Sequence, residues 1–168
     1  MNEKGFTLIE MVLVIVIEGI IVAIAGMGIV NVTNGLLLTK QTASTVLKAQ
    51  AALTRIEKEL AILTQVTSGS SNSITYTRWN DDGSALLTYT LSQSGNNIIL
   101  SDTNGNNDTL IDSVVASSFS LTYSNTYKGT PGSTFIPSTS KLINVSFILS
   151  GYGGARSTFT MRVRPRNI

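Results

Sequence analysis

Lys4-Gly5-Phe6-Thr7-Leu8-Ile9-Glu10 runs straight into MVLVIVIEGIIVAIAGMGIVNV at residues 11–32, and this stretch decides the fold. Met11 to Val30 is about the length a helix needs to cross a hydrocarbon core of roughly 30 Å. A secretory signal peptide has a shorter apolar region ended by small residues at a cleavage site. Here Asn31 to Gly35 leads into Leu36, Leu37 and Leu38, so the segment is expected to stay on the mature chain.

Two carboxylates interrupt the run: Glu10 at its edge and Glu18 near its middle. On one helix they lie about 12 Å apart along the axis and about 80° apart around it, so a single packed interface can hold both. A carboxylate near a bilayer centre costs about 2.5 to 3.5 kcal/mol, and less at the edge, so each calls for a partner. For Glu18 two readings stand: a polar contact that selects a particular neighbour, or an uncharged carboxyl with no partner.

The run from Lys4 to Glu10 with the apolar segment behind it resembles the signal of type IV prepilins and pseudopilins. The resemblance covers roughly the first thirty residues. It implies a membrane peptidase that cuts on the cytoplasmic side between Gly5 and Phe6 and methylates the new amine of Phe6. It also implies that Glu10 meets the amine of an adjacent subunit, making it the assembly contact. Glu18 departs from the family pattern, in which this part of the helix is uninterrupted apolar sequence. Pilins often carry a helix-breaking proline near the depth of Met27. Gly19, Gly26 and Gly28 stand here instead, and either soften the helix or let a neighbour approach closely.

Fainter likeness to the J-type minor pseudopilins and W-type minor pilins lies in Leu110-Ile111-Asp112-Ser113-Val114, in Phe119 to Tyr123 and in Val163-Arg164-Pro165-Arg166-Asn167. The chain has no cysteine, whereas major pilins of the family close a C-terminal loop with a disulfide, and this favours a minor subunit.

Beyond the apolar run, Asn31 to Gly35 is a place where a helix can kink or loosen. Helical periodicity returns in Val46, Leu53, Ile56, Leu60 and Leu63. Lys48, Arg55, Lys58 and Glu59 cover the opposite side, with Arg55 and Glu59 at i,i+4 spacing. After the loop-like Thr67 to Ser73 the pattern changes to short Thr-, Tyr-, Val- and Ile-rich runs. These predict a hairpin of Ile74–Trp79 and Leu86–Leu91 around Asp82-Gly83, then strands at Ile98–Leu100, Phe119–Tyr123, Ile143–Leu149 and Thr158–Val163. Phe119, Leu121 and Tyr123 alternate with polar residues, as do Val145, Phe147 and Leu149, so one face of an antiparallel sheet can cover the apolar side of the helix.

The expected fold is therefore α+β: a long N-terminal helix, transmembrane in its first half and amphipathic in its second, packed on an antiparallel sheet. The expected organisation is a leader peptide at 1–5, an assembly helix at 6–32, an amphipathic helix at 33–66 and a β domain at 67–168.

The chemistry available to the remainder is narrow. With no histidine and no cysteine, thiolate nucleophiles, histidine bases and the usual zinc ligands are absent. The lysines at 40, 48, 58, 128 and 141 fall in no recognisable catalytic motif, so no enzyme and no cofactor is expected. Asp102, Asn104, Asn106 and Asp108 place oxygen ligands at alternate positions, like the start of a calcium loop, but no glutamate closes it. The competing reading is an ordinary Asn-Gly turn. That loop and the one from Ser124 to Ser140 are expected to be exposed.

Arg156, Arg162, Arg164 and Arg166 crowd the last stretch, although the net charge is only +2. They keep open a second function, a membrane-anchored module that binds DNA or another polyanion. The first remains a minor pilin or pseudopilin of a type IV pilus or type II secretion filament. Its expected partners are a prepilin peptidase, other subunits, an inner-membrane assembly platform and the bilayer, with the C-terminal domain in the periplasm.

Overall fold

The computed structural model describes residue 5, residues 7–80 and residues 82–168. They fall in two compact units, Met1–Gln41 and Thr42–Ile168. Met1 to Lys4 and Phe6, which carry most of the expected leader and the methylation site, lie outside the described residues.

In the first unit the helix α1, which begins at Leu8 and runs to Ala61, is uninterrupted through Gly19, Gly26, Gly28 and the stretch from Asn31 to Gly35. The expected loosening at these places is not seen. A lone glycine in a helix costs about 1 kcal/mol, and the helix carries these without a break. Thr33 and Thr39 each donate a side-chain hydroxyl to the carbonyl a turn back, at Ile29 and Gly35 (both 2.9 Å). α1 is long and apolar enough to cross a membrane, and its residues from Leu8 to Val32 are exposed all round.

In the second unit the last turns of α1 bury Ala49, Ala52, Ile56 and Leu60. Of the residues expected on this face, Val46 and Leu53 are only partly covered, and the two alanines take the central places. The helix ends at Ala61 rather than near Val66, and Gln65–Gly69 is a strand, β1. Residues 67–69 therefore belong to a ladder, not to the loop expected from their Ser, Thr and Gly content. Tertiary pairing with β2 outweighs local composition here.

Among the described residues there are eight strands: β1, then β2 Ser73–Trp79, β3 Leu86–Ser94, β4 Asn97–Asp102, β5 Asn107–Ile111, β6 Ser120–Ser124, β7 Leu142–Ser150 and β8 Arg156–Val163. They form two antiparallel sheets rather than one, β1-β2-β3-β4-β5 and β6-β7-β8. The β2–β3 hairpin turns at Asp82-Gly83 as expected, with Gly83 at φ 71°, a left-handed conformation that glycine adopts without cost. The alternation read from the sequence holds: Phe119, Leu121, Tyr123, Val145, Phe147 and Leu149 are all buried, and they join Ile56, Leu60 and the inward residues of the larger sheet in one core.

Where the sheets meet, close approach replaces side-chain filling. A Cβ on Gly69 would stand 2.6 Å from Phe135 Cβ and 2.8 Å from the Tyr123 hydroxyl. Phe135 sits in the 124–140 loop, which is therefore not wholly exposed. Its ring meets Tyr123 edge-on, its N–H donates to the Gly69 carbonyl (3.0 Å), and Gly132 and Tyr123 exchange backbone hydrogen bonds. The end of the chain returns to the end of the helix, where the Arg166 N–H donates to the Ala61 carbonyl (3.2 Å) and the Asn167 amide to that of Leu63 (2.9 Å).

Candidate functional site

The first turn of α1 is built by Thr7 and Glu10. The Thr7 N–H and hydroxyl both donate to Glu10 Oε2 (2.9 Å each), while the Glu10 N–H reaches back to the Thr7 hydroxyl (3.4 Å). This is a reciprocal capping box, in which two helix-end donors that would otherwise lack partners are satisfied. The Thr-x-x-Glu spacing that announces it stands in the sequence, beside the reading of Glu10 as a contact to the amine of an adjacent subunit. The cap fixes where Glu10 points, one turn inside an exposed apolar surface, and leaves its second oxygen unused by Thr7. Gly5, on the N-terminal side of the expected cut, is exposed and lies outside the helix.

Glu18 lies two turns further along the same uninterrupted helix and is also exposed, as are the apolar side chains around it. The apolar surface with Glu10 at its mouth and Glu18 along it belongs to a segment that no part of its own unit covers. Gly19, Gly26 and Gly28 have open space where a Cβ would project.

The remaining sequence candidates fall elsewhere. The Asp102 carboxylate accepts hydrogen bonds from the N–H groups of Asn104 and Asn106 (2.9 Å each) and from the Asn106 amide (2.8 Å). The Asn106 side chain and then its backbone N–H hold the Asp102 carboxyl below the usual carboxylate range. Asp108 pairs instead with Arg55 (2.8 Å). The alternating Asp and Asn residues thus form a self-closed turn and one end of an ion pair.

Arg55 therefore does not pair with Glu59 across one helical turn, as the sequence spacing suggested. Glu59 faces inward to Arg78 on β2 (2.8 Å), and the two side chains are only 15% and 7% exposed. The Tyr76 hydroxyl also donates to Glu59 (3.3 Å), and the Arg78 guanidinium lies 4.2 Å from the centre of the Tyr89 ring. Burial, and next the Glu59 charge, push the Tyr76 hydroxyl far above its ordinary pKa, so it stays protonated and able to donate to Glu59. This network fastens helix to sheet and offers no reactive group to solvent.

The C-terminal arginines do not gather at one place. Arg156 opens β8 and Arg162 stands near its other end, about 20 Å away at the usual rise of about 3.3 Å per residue. Arg162 donates to the Asn144 amide oxygen and to the Tyr127 carbonyl, and its guanidinium stacks on the Tyr127 ring.

Compared with known proteins, residues 1–26 match the family model described as the prokaryotic N-terminal methylation motif. No curated protein matches the chain. The motif supports membership of a type IV pilin-like family, and with it a pilin-like precursor whose apolar helix fits membrane anchoring.

Proposed function

We propose that this chain is a minor pilin or pseudopilin, which after cleavage between Gly5 and Phe6 enters, starts or caps a filament of a type IV pilus or a type II secretion system. The observation that carries the reading is the methylation motif over residues 1–26, coupled to an apolar helix that presents an oriented carboxylate at its first turn. The motif points to a structural subunit and not to an enzyme.

The mechanism follows from charge in a medium of low dielectric constant. Before processing, the helix entrance has a carboxylate at Glu10, and the nitrogen of Phe6 is an uncharged peptide N–H. Cutting after Gly5 creates an ammonium on Phe6, one turn before Glu10. Both groups are then charged where water is scarce, and each is expensive unless paired. Thr7 occupies one oxygen of Glu10 and holds the side chain in place; the other oxygen is available to the amine of an incoming subunit. Pairing between subunits lowers the cost for both, and the exposed apolar sides of two helices are covered in the same step.

In this reading the protein spans the bacterial inner membrane once, with residues 42–168 in the periplasm. It meets a prepilin peptidase, other subunits and an assembly platform in turn. N-terminal sequencing and intact mass of membrane-extracted protein test it. The expected result is a chain beginning at Phe6 with a methylated amine; a chain still beginning at Met1, or one cut beyond Val32, overturns it.

A further inference from the structure

At the end of the smaller sheet, where β6 leaves, β7 enters and β8 leaves, there is a groove of about 580 Å³ whose lining includes Asn125, Thr126, Tyr127, Lys141, Arg162 and Arg164. Leu142 supplies an apolar patch to the same wall. Three of the lining side chains are cationic and none is acidic. None of the three cations takes part in an ion pair among the described residues, whereas Lys48, Arg55 and Arg78 are each matched by a carboxylate.

The groove is also oriented. Arg162 is held by two neutral acceptors, the Asn144 amide and the Tyr127 carbonyl, and by the ring of Tyr127. These contacts fix the guanidinium plane without neutralising its charge, so the fork remains electrostatically available. A fixed guanidinium suits carboxylate or phosphate oxygens, and losing little side-chain entropy favours binding.

We propose that this groove receives a carboxylate-bearing polypeptide segment, an acidic loop of another protein. The mixed lining favours this occupant: beside the cations stand amide and hydroxyl groups, an aromatic ring and a leucine, which suit a peptide backbone and its side chains. A nucleic-acid strand is disfavoured because the charges are concentrated at one end of β8 instead of tracking a backbone, Arg156 being about 20 Å from Arg162. The volume falls within the range of pockets that take a small ligand or a few residues, about 300 to 1,000 Å³. The proposal does not depend on filament assembly.

The test uses the full-length protein in nonionic detergent and a fluorescent glycine-flanked tetraglutamate peptide, read by anisotropy at low and high salt. Saturable binding that weakens with salt is expected, with about a three-fold loss for Lys141→Gln and for Arg164→Gln and a larger loss for the double variant, as exposed charge contacts give. Arg156→Gln, at the far end of the strand, leaves binding unchanged. Both groove substitutions are at the surface, and near-ultraviolet circular dichroism verifies that each variant keeps its fold. The proposal is overturned if the peptide does not bind, if Arg156→Gln weakens it as much as the groove variants, or if a short single-stranded DNA binds more tightly than the peptide.

Discussion

Two stretches of one helix obey opposite rules. From Leu8 to Val32, α1 is apolar on every side and nothing in its own unit covers it. From Thr42 to Ala61 the same helix is polar outside and apolar along one stripe, and that stripe is fully buried at Ala49, Ala52, Ile56 and Leu60. The second stretch finds its solvent within the chain, and the first must find it in lipid or in other helices. Charge follows the same division. Glu59, in the second stretch, meets Arg78 inside the domain, while the only side chain hydrogen-bonded to Glu10 among the described residues is Thr7, which is neutral.

The sharpest way to break this comparison is at Glu10. Glu10→Ala is expected to leave membrane content unchanged, because an apolar helix inserts more readily without a charge. Incorporation into filaments should be lost. The measurement compares sheared-filament and membrane fractions for wild type, Glu10→Ala and Glu18→Ala, normalised to cleavage after Gly5. Normal filament levels for Glu10→Ala would mean that the amine of Phe6 finds another partner, with Glu18 the first to examine.

Removing residues 1–40 sharpens the comparison from the other side. The remaining chain should be soluble, monomeric and cooperatively folded, because its core draws on α1 and both sheets without help from the apolar stretch. An insoluble product would show that the domain relies on what the first stretch brings. In that fragment, Glu59→Ala should cost about 3 to 5 kcal/mol in urea unfolding, since it strands the Arg78 guanidinium in a buried place. Replacing both partners by apolar residues should cost much less.

Gly69→Ala is expected to cost about 1 to 3 kcal/mol by overpacking, because Phe135 and Tyr123 occupy the space of the new methyl group. The smallest effects belong to the half-exposed pairs Lys48–Asp112 and Arg55–Asp108. Lys48→Ala or Arg55→Ala should each cost under about 1 kcal/mol, and less in high salt.

What was legible in the sequence follows from how locally each feature is specified. The apolar run, the amphipathic stretch and the alternation in Leu121 and Phe147 are local patterns, and each reappears in the structure. β1 and β5 escaped because Gln65–Gly69 offers a single large apolar residue and Asn107–Ile111 opens on residues that strands avoid. Their place is set by partners along β2 and β4. The division into two sheets escaped for a related reason, since it depends on which strands pair and not on whether they form. Arg78 was readable in part: Ile74, Tyr76 and Arg78 share one parity, and parity alone turns all three toward the core. Its partner was hidden, because the obvious i,i+4 spacing offered Arg55 to Glu59 and the fold gave each a distant mate. At the helix entrance the Thr-x-x-Glu spacing of Thr7 and Glu10 is itself the local signal of the capping box.

The tie between the end of the chain and the end of α1 bears on how the domain is made. Arg166 and Asn167 supply donors to the carbonyls of Ala61 and Leu63, across a sequence separation of 104 residues for the Asn167 contact. Those donors follow β8 in the sequence, so the carbonyls at the helix end gain these partners only once β8 and the residues behind it are in place. Closure of so long a loop is entropically costly, which places this contact among the late events of folding.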